Sequence, residues 1–221
     1  MKSIPKAVLN NRSLLHATRP NPLVAFALTE LLIVITILGI IAGLSTVGMK
    51  TALDREKVNS LALELQGWIE AVRNNSAKMV GANAVGASFG CTISFNANSN
   101  NLAAGALLAT VSPINNNPLL SCAPPDNGST IKGGLFYIPS DFVGKLSFSS
   151  QQAGVSNQAT IVYTPRGNWL SKTNGASGDL EVKLMLNDSG PLRCIRVSDV
   201  LGYVDIGSKS TSKLSDACQD Y

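Results

Sequence analysis

Glu30 is the one charged side chain in the 24 residues 26–49, FALTELLIVITILGIIAGLSTVGM. A carboxylate at the centre of a spanning helix costs roughly 2.5–3.5 kcal/mol unless a cation or a proton meets it. By helical rise, Glu30 lies about 6 Å along the axis from Phe26, so its chemistry is charge pairing near one end of an apolar rod. The second reactive set is Cys91, Cys122, Cys194 and Cys218. An even number of thiols in an oxidising compartment implies two disulfides. Three pairings are open, and Cys91–Cys122 with Cys194–Cys218 is the expectation because it closes the shorter loops. Metal sites made of cysteine use close pairs, which these four do not form. His16 is the single histidine. A chain that loses it in processing can build neither a histidine-dependent triad nor a histidine metal site. No glycine-rich phosphate loop is present. Asp126, Asp188, Asp199, Asp205, Asp216 and Asp220 are scattered through turns and the tail, where solvated acids are the ordinary case. The sequence therefore points away from an enzyme, with no catalytic residue, no metal site and no cofactor expected.

The charge is unevenly placed. Residues 1–25 hold Lys2, Lys6, Arg12 and Arg19 and no acid. The remaining chain has fourteen basic and fourteen acidic side chains, so the formal charge of +4 belongs to that leader. Basic residues beside a spanning helix hold that end in the cytoplasm. A helix over 26–49 would run about 36 Å, enough to cross a hydrocarbon core of about 30 Å. The expected location is the inner (cytoplasmic) membrane, crossed once, with the amino terminus cytoplasmic and the residues beyond 49 outside. Pro5, Pro20 and Pro22 interrupt any long helix in the leader. Gly39, Gly43 and Gly48 lie in the apolar run, where small residues four apart let helices approach closely.

The run Ala25-Phe26-Ala27-Leu28-Thr29-Glu30-Leu31-Leu32-Ile33-Val34-Ile35 resembles the amino-terminal signature of type IV pilins and type II secretion pseudopilins. The resemblance implies cleavage by a prepilin peptidase between Ala25 and Phe26, with methylation of Phe26. It also implies a role for Glu30 in assembly, as the partner of a neighbouring subunit's new amino terminus. Family members usually carry Gly before the cut, where this chain has the small residue Ala25. The partners implied are the peptidase, other pilins or pseudopilins, and the membrane.

Past Lys50 the helical pattern continues. Val58, Leu61, Leu65, Trp68, Ile69 and Val72 recur at spacings of three and four among charged residues, which marks an amphipathic helix with one buried stripe. Its end is expected near Gly81. Strands are expected at 91–95, 135–138, 145–149, 159–164, 180–186, 192–197 and 203–206, rich in β-branched or aromatic residues. Turn clusters at 96–101, 112–118, 123–130, 165–168 and 187–191 separate them. Residues 102–111 fit either a strand or a short helix. The fold class is α+β: a long amino-terminal helix, transmembrane then amphipathic, packed on antiparallel sheet. Boundaries fall at 1–25 (leader), 26–49 (transmembrane and assembly helix), 50–80 (amphipathic helix) and 81–221 (β-rich domain).

The order of these elements is similar to the FimT/GspH branch of minor pilins and pseudopilins. Leu192-Arg193-Cys194-Ile195-Arg196-Val197, followed by Gly202-Tyr203-Val204-Asp205, looks like its closing strand pair. The turn Thr164-Pro165-Arg166-Gly167 has a counterpart there too. Some members bind DNA through a Gly-Arg-x-Arg turn, whose positions here are Gly202, Tyr203, Val204 and Asp205. Neither arginine is present and an acid is gained, which removes the phosphate contacts that supply most DNA affinity. No DNA-binding residue is assigned. Arg193, Arg196, Lys209 and Lys213 sit among Asp199, Asp205 and Asp216, and read as a mixed, solvated surface. The function implied is a minor type IV pilin-like subunit. The alternatives are a type II secretion pseudopilin and a DNA receptor at a pilus tip.

Overall fold

The computed structural model describes residues 28–81, 90–96, 99–114, 122–152, 155–156, 159–165, 169–171, 178–187, 190–198, 201–209, 214 and 218. The chain divides into two units, Met1–Val47 and Gly48–Tyr221. Helix α1 spans Leu28–Ala77 and closes in a 3-10 turn at Lys78–Gly81. No proline occurs between Pro22 and Pro113, so nothing in the backbone chemistry breaks the helix. Glu30 stands in its first turn, where a negative charge complements the helix dipole.

Among the described residues twelve strands follow: β1 (Cys91–Phe95), β2 (Ser99–Leu102), β3 (Leu107–Pro113), β4 (Ile131–Lys132), β5 (Leu135–Tyr137), β6 (Leu146–Gln152), β7 (Val155–Ser156), β8 (Thr160–Tyr163), β9 (Trp169–Ser171), β10 (Leu180–Leu186), β11 (Leu192–Val197) and β12 (Val204–Lys209). They form two sheets. One has the order β4-β5-β3-β1-β8-β9, and the other β12-β11-β10-β6-β2 with β7 also paired to β6. Every pairing is antiparallel. The architecture is therefore α+β, as the element order implies.

The helix stripe and both sheets share one core. Val58, Leu61, Ala62, Leu65, Trp68, Ile69 and Val72 are buried with Ile93, Phe136, Phe148, Ile161, Val182 and Ile195. Each large apolar side chain fully buried contributes about 1.5–3 kcal/mol. Trp68 tilts against Phe136 with ring centroids 5.7 Å apart, and Phe95 of one sheet stacks on Phe148 of the other at 6.3 Å. Polar ties set the register of the helix. The Gln66 side-chain amide donates to the Val204 carbonyl at 2.9 Å, and the Asn75 amide donates to the Ala123 carbonyl at 3.1 Å.

Two expected turns needed correction, and the open reading of 102–111 is decided in favour of strand. The cluster at 96–101 is not all turn, because Ser99–Leu102 is a strand pairing with β6 at Ser99↔Phe148 and Leu102↔Leu146. Residues 102–111 resolve into a turn and then β3, which continues through Pro113 into the expected 112–118 turn. Between the two, Asn101 (φ 70°) and Gly105 (φ 77°) take left-handed conformations, which asparagine and glycine tolerate best.

Tyr163 joins the sheets at the helix's far end. Its hydroxyl donates to the Gly202 carbonyl at 3.4 Å, and burial drives its pKa well above the usual phenol range, with Arg73 lowering it and Glu70 raising it. Its carbonyl lies where a Cβ at Gly90 (φ 152°) would fall, so position 90 admits only glycine. A phenol whose folded pKa is raised contributes stability that is fully present below the unfolded value of about 10 and is lost as pH rises beyond it. Chemical denaturation from pH 8 to 12 should therefore show wild type losing about 1.4 kcal/mol per pH unit above pH ~10 relative to Tyr163→Phe. Parallel curves for the two proteins would contradict this reading of Tyr163.

Candidate functional site

The first unit carries the apolar run. Its large side chains from Leu28 to Leu44 are exposed, among them Ile40 at 65% and Leu44 at 72%. The helix is long and apolar enough to cross a membrane. Three of its hydroxyls are satisfied within the helix itself. Thr36 donates to the Ile33 carbonyl, Ser45 to Ile41 and Thr46 to Gly43, each at 2.8 Å. Internal satisfaction of polar groups is what a hydrocarbon surround demands. Among the described residues nothing comes within 4 Å of a Cβ placed at Gly39 or Gly43. Glu30 is exposed in the first helical turn. Ala25 and Phe26, the expected cleavage and methylation positions, lie outside the described residues.

In the second unit the structure joins Cys91 to Cys122 and Cys194 to Cys218, with Cα atoms 5.6 and 6.1 Å apart. The first disulfide tethers the start of β1 to the segment that leads toward β4. The second clamps the carboxy-terminal tail onto β11. Under that tail Met185, Leu192 and Cys194 form a small separate core with Leu214 and Cys218. This explains a feature the alternation of β10 does not show. Leu180, Val182, Leu184 and Leu186 face the main core, yet Lys183 on the opposite face is only 1% exposed. Its ammonium pairs with Glu181 at 3.2 Å, and Glu181 also accepts a hydrogen bond from the Cys218 amide at 3.3 Å. The thiols beside Glu181 are committed to the disulfide, so Glu181, Cys194 and Cys218 do not form a thiolate metal site.

The two arginines of β11 are also spoken for. Arg196 binds Asp179 through Nε and a terminal nitrogen, and it stands opposite Asp205 across the β11–β12 pair. The Arg193 Nε donates to Asn59 on α1 at 3.3 Å. Gly202 (φ 63°) makes the turn between these strands, its amide bonded to the Ser198 carbonyl at 2.9 Å. Among the described residues these contacts hold Arg196 against acids and Arg193 against a neutral amide. Asp179 and Lys183 were not singled out from sequence. The signal for Asp179 was its position just before β10, one diagonal step from Arg196, which stands opposite Glu181 across the β10–β11 pair. Lys213 and Asp199 lie outside the described residues.

No family model, curated protein or solved structure matches this chain.

The two disulfides enclose sequence separations of 31 and 24 residues, each expected to contribute about 3–4 kcal/mol through the unfolded state. Non-reducing peptide mapping should return only these two linkages. Reductant should lower the denaturation midpoint substantially, and Cys194→Ser with Cys218→Ser should also make Lys183 newly reactive toward amine-modifying reagents. An unchanged midpoint on reduction would overturn the structural role.

Proposed function

We propose that this chain is a minor type IV pilin-like subunit, built into a pilus or pseudopilus through its amino-terminal helix. The observation that carries the reading is an exposed apolar helix with a single acid in its first turn, continuous in sequence with an amphipathic stripe buried in an α+β unit. Prepilin peptidase would cut between Ala25 and Phe26 and methylate the new terminus. The peptidase and neighbouring pilins or pseudopilins are then the partners, and the inner membrane is the store from which subunits are drawn. The GspH-like pseudopilin reading shares every step of this chemistry.

The mechanism follows from electrostatics in a poor solvent. Cleavage before Phe26 leaves an ammonium at the positive end of the helix dipole, where it is disfavoured. Glu30 sits one turn further along, in apolar surroundings where an unmatched charge is also costly. Within one subunit the pair is held to one short stretch of a rigid helix. When two helices lie side by side with an axial offset, the carboxylate of one can meet the ammonium of the next. Such pairing cancels both penalties only at one register. Apolar contact supplies adhesion, and the charge pair selects the stagger. A DNA-receptor role is disfavoured by the closing turn, where Arg196 is engaged by Asp179 and Asp205 stands in place of an arginine.

Breaking a desolvated ion pair by removing one partner costs roughly 3–5 kcal/mol. Glu30→Ala should therefore reach the membrane at wild-type levels but enter sheared filaments at least about tenfold less often. Immunoblots of membrane and filament fractions report both quantities. Equal incorporation of the variant would refute the pairing mechanism.

A further inference from the structure

The two disulfides lie in unlike surroundings. Cys91 and Cys122 are both buried among apolar side chains of the main core, at 0% and 2% exposure. Cys194 is equally buried, but its partner Cys218 is partly exposed. The second pair also has charges beside it. Lys183 stands directly opposite Cys194 across the β10–β11 pair, so the two side chains are neighbours on one face of the sheet. The Glu181 carboxylate and both sulfurs lie within 4.8 Å of one another. Glu181 in turn holds the Lys183 ammonium at 3.2 Å and the Cys218 amide at 3.3 Å.

Thiol–disulfide exchange needs an accessible sulfur for the incoming thiolate and a leaving sulfur that carries negative charge easily. Of these two sulfurs, only that of Cys218 belongs to a residue with exposed surface. A neighbouring ammonium favours a thiolate, and the strand register puts Lys183 beside Cys194. Glu181 lies against both sulfurs and so does not choose between them. We infer that Cys194–Cys218 is a thiol-exchange site, entered by a partner's thiolate at Cys218 and released at Cys194. In the first step the incoming sulfur bonds to Cys218 Sγ, the Cys194–Cys218 bond breaks, and its electron pair leaves on Cys194 beside Lys183. A second thiol of the partner then attacks its own sulfur in the mixed disulfide, and Cys218 departs as a thiolate that takes a proton from water. The net change is one disulfide reduced in this chain and one dithiol oxidised in the partner. Run backwards, the same steps install the bond, with Cys218 taking up the partner's disulfide and Cys194 closing the ring. The partner is therefore a dithiol or its disulfide. The site is separate from residues 26–49 and does not depend on the proposed assembly role.

The full chain in detergent micelles can be treated with limiting glutathione, quenched into N-ethylmaleimide and mapped by mass spectrometry. Glutathione should appear on Cys218 and N-ethylmaleimide on Cys194, while Cys91–Cys122 stays closed. Dithiothreitol should open Cys194–Cys218 at least about tenfold faster than Cys91–Cys122. Lys183→Met, which keeps an unbranched stem without the charge, should slow that opening about tenfold. If the variant misfolds by circular dichroism, the site of glutathione addition in the wild type decides the question by itself. Glutathione on Cys194 or on both cysteines, equal opening rates for the two disulfides, or a folded Lys183→Met that opens as fast as wild type would each overturn the inference.

Discussion

An apolar helical surface must be covered, and that requirement governs how this molecule can exist. From Leu28 to Leu44 nearly every side chain is aliphatic and exposed, far more than the few hundred Å² of contiguous apolar patch that a soluble monomer usually tolerates. Lipid chains and other helices of the same kind are the two covers that chemistry offers. Neither supplies hydrogen bonds, which fits a segment in which Thr36, Ser45 and Thr46 are already bonded to its own carbonyls. In such surroundings apolar packing has little directional preference. A single carboxylate then acquires a weight it would never have in water, because it is the one group that distinguishes one helix stagger from another.

The second half of the helix solves a different problem. Its apolar residues narrow to a stripe, and two antiparallel sheets close over that stripe into one core. Short strands with long loops give a modest core for their length. The two disulfides compensate by limiting the unfolded chain, and the second also sets the Cys218 amide against Glu181, the partner of buried Lys183. A buried ion pair of this kind adds little net stability but penalises any register of β10 that would leave either charge alone.

Much of this was legible beforehand because the strongest signals are periodic. The stripe Val58, Leu61, Leu65, Trp68, Ile69 and Val72 is buried throughout, and β1, β10 and β11 keep the bounds their residues imply. Ala62 belongs to the same stripe but is too small to stand out in a pattern. Strand β2, Ser-Asn-Asn-Leu, has the composition of a turn and is strand only because β6 offers an edge to pair with, a case of tertiary context overriding propensity. The hairpin of β4 and β5 did carry a local mark. Gly133 and Gly134, both at positive φ, are the two-residue turn that joins right-twisted strands. The burial of Lys183 had no local mark at all. It depends on a disulfide that brings Cys218 back to Cys194, 24 residues apart in sequence.

The proposed role stands or falls at the residue that begins the mature chain. Mass spectrometry of the amino-terminal peptide from the membrane-associated protein tests it most directly. The account predicts a peptide that starts at Phe26 and carries one N-methyl group. A mature chain starting near Thr46, with the apolar segment removed, would contradict it.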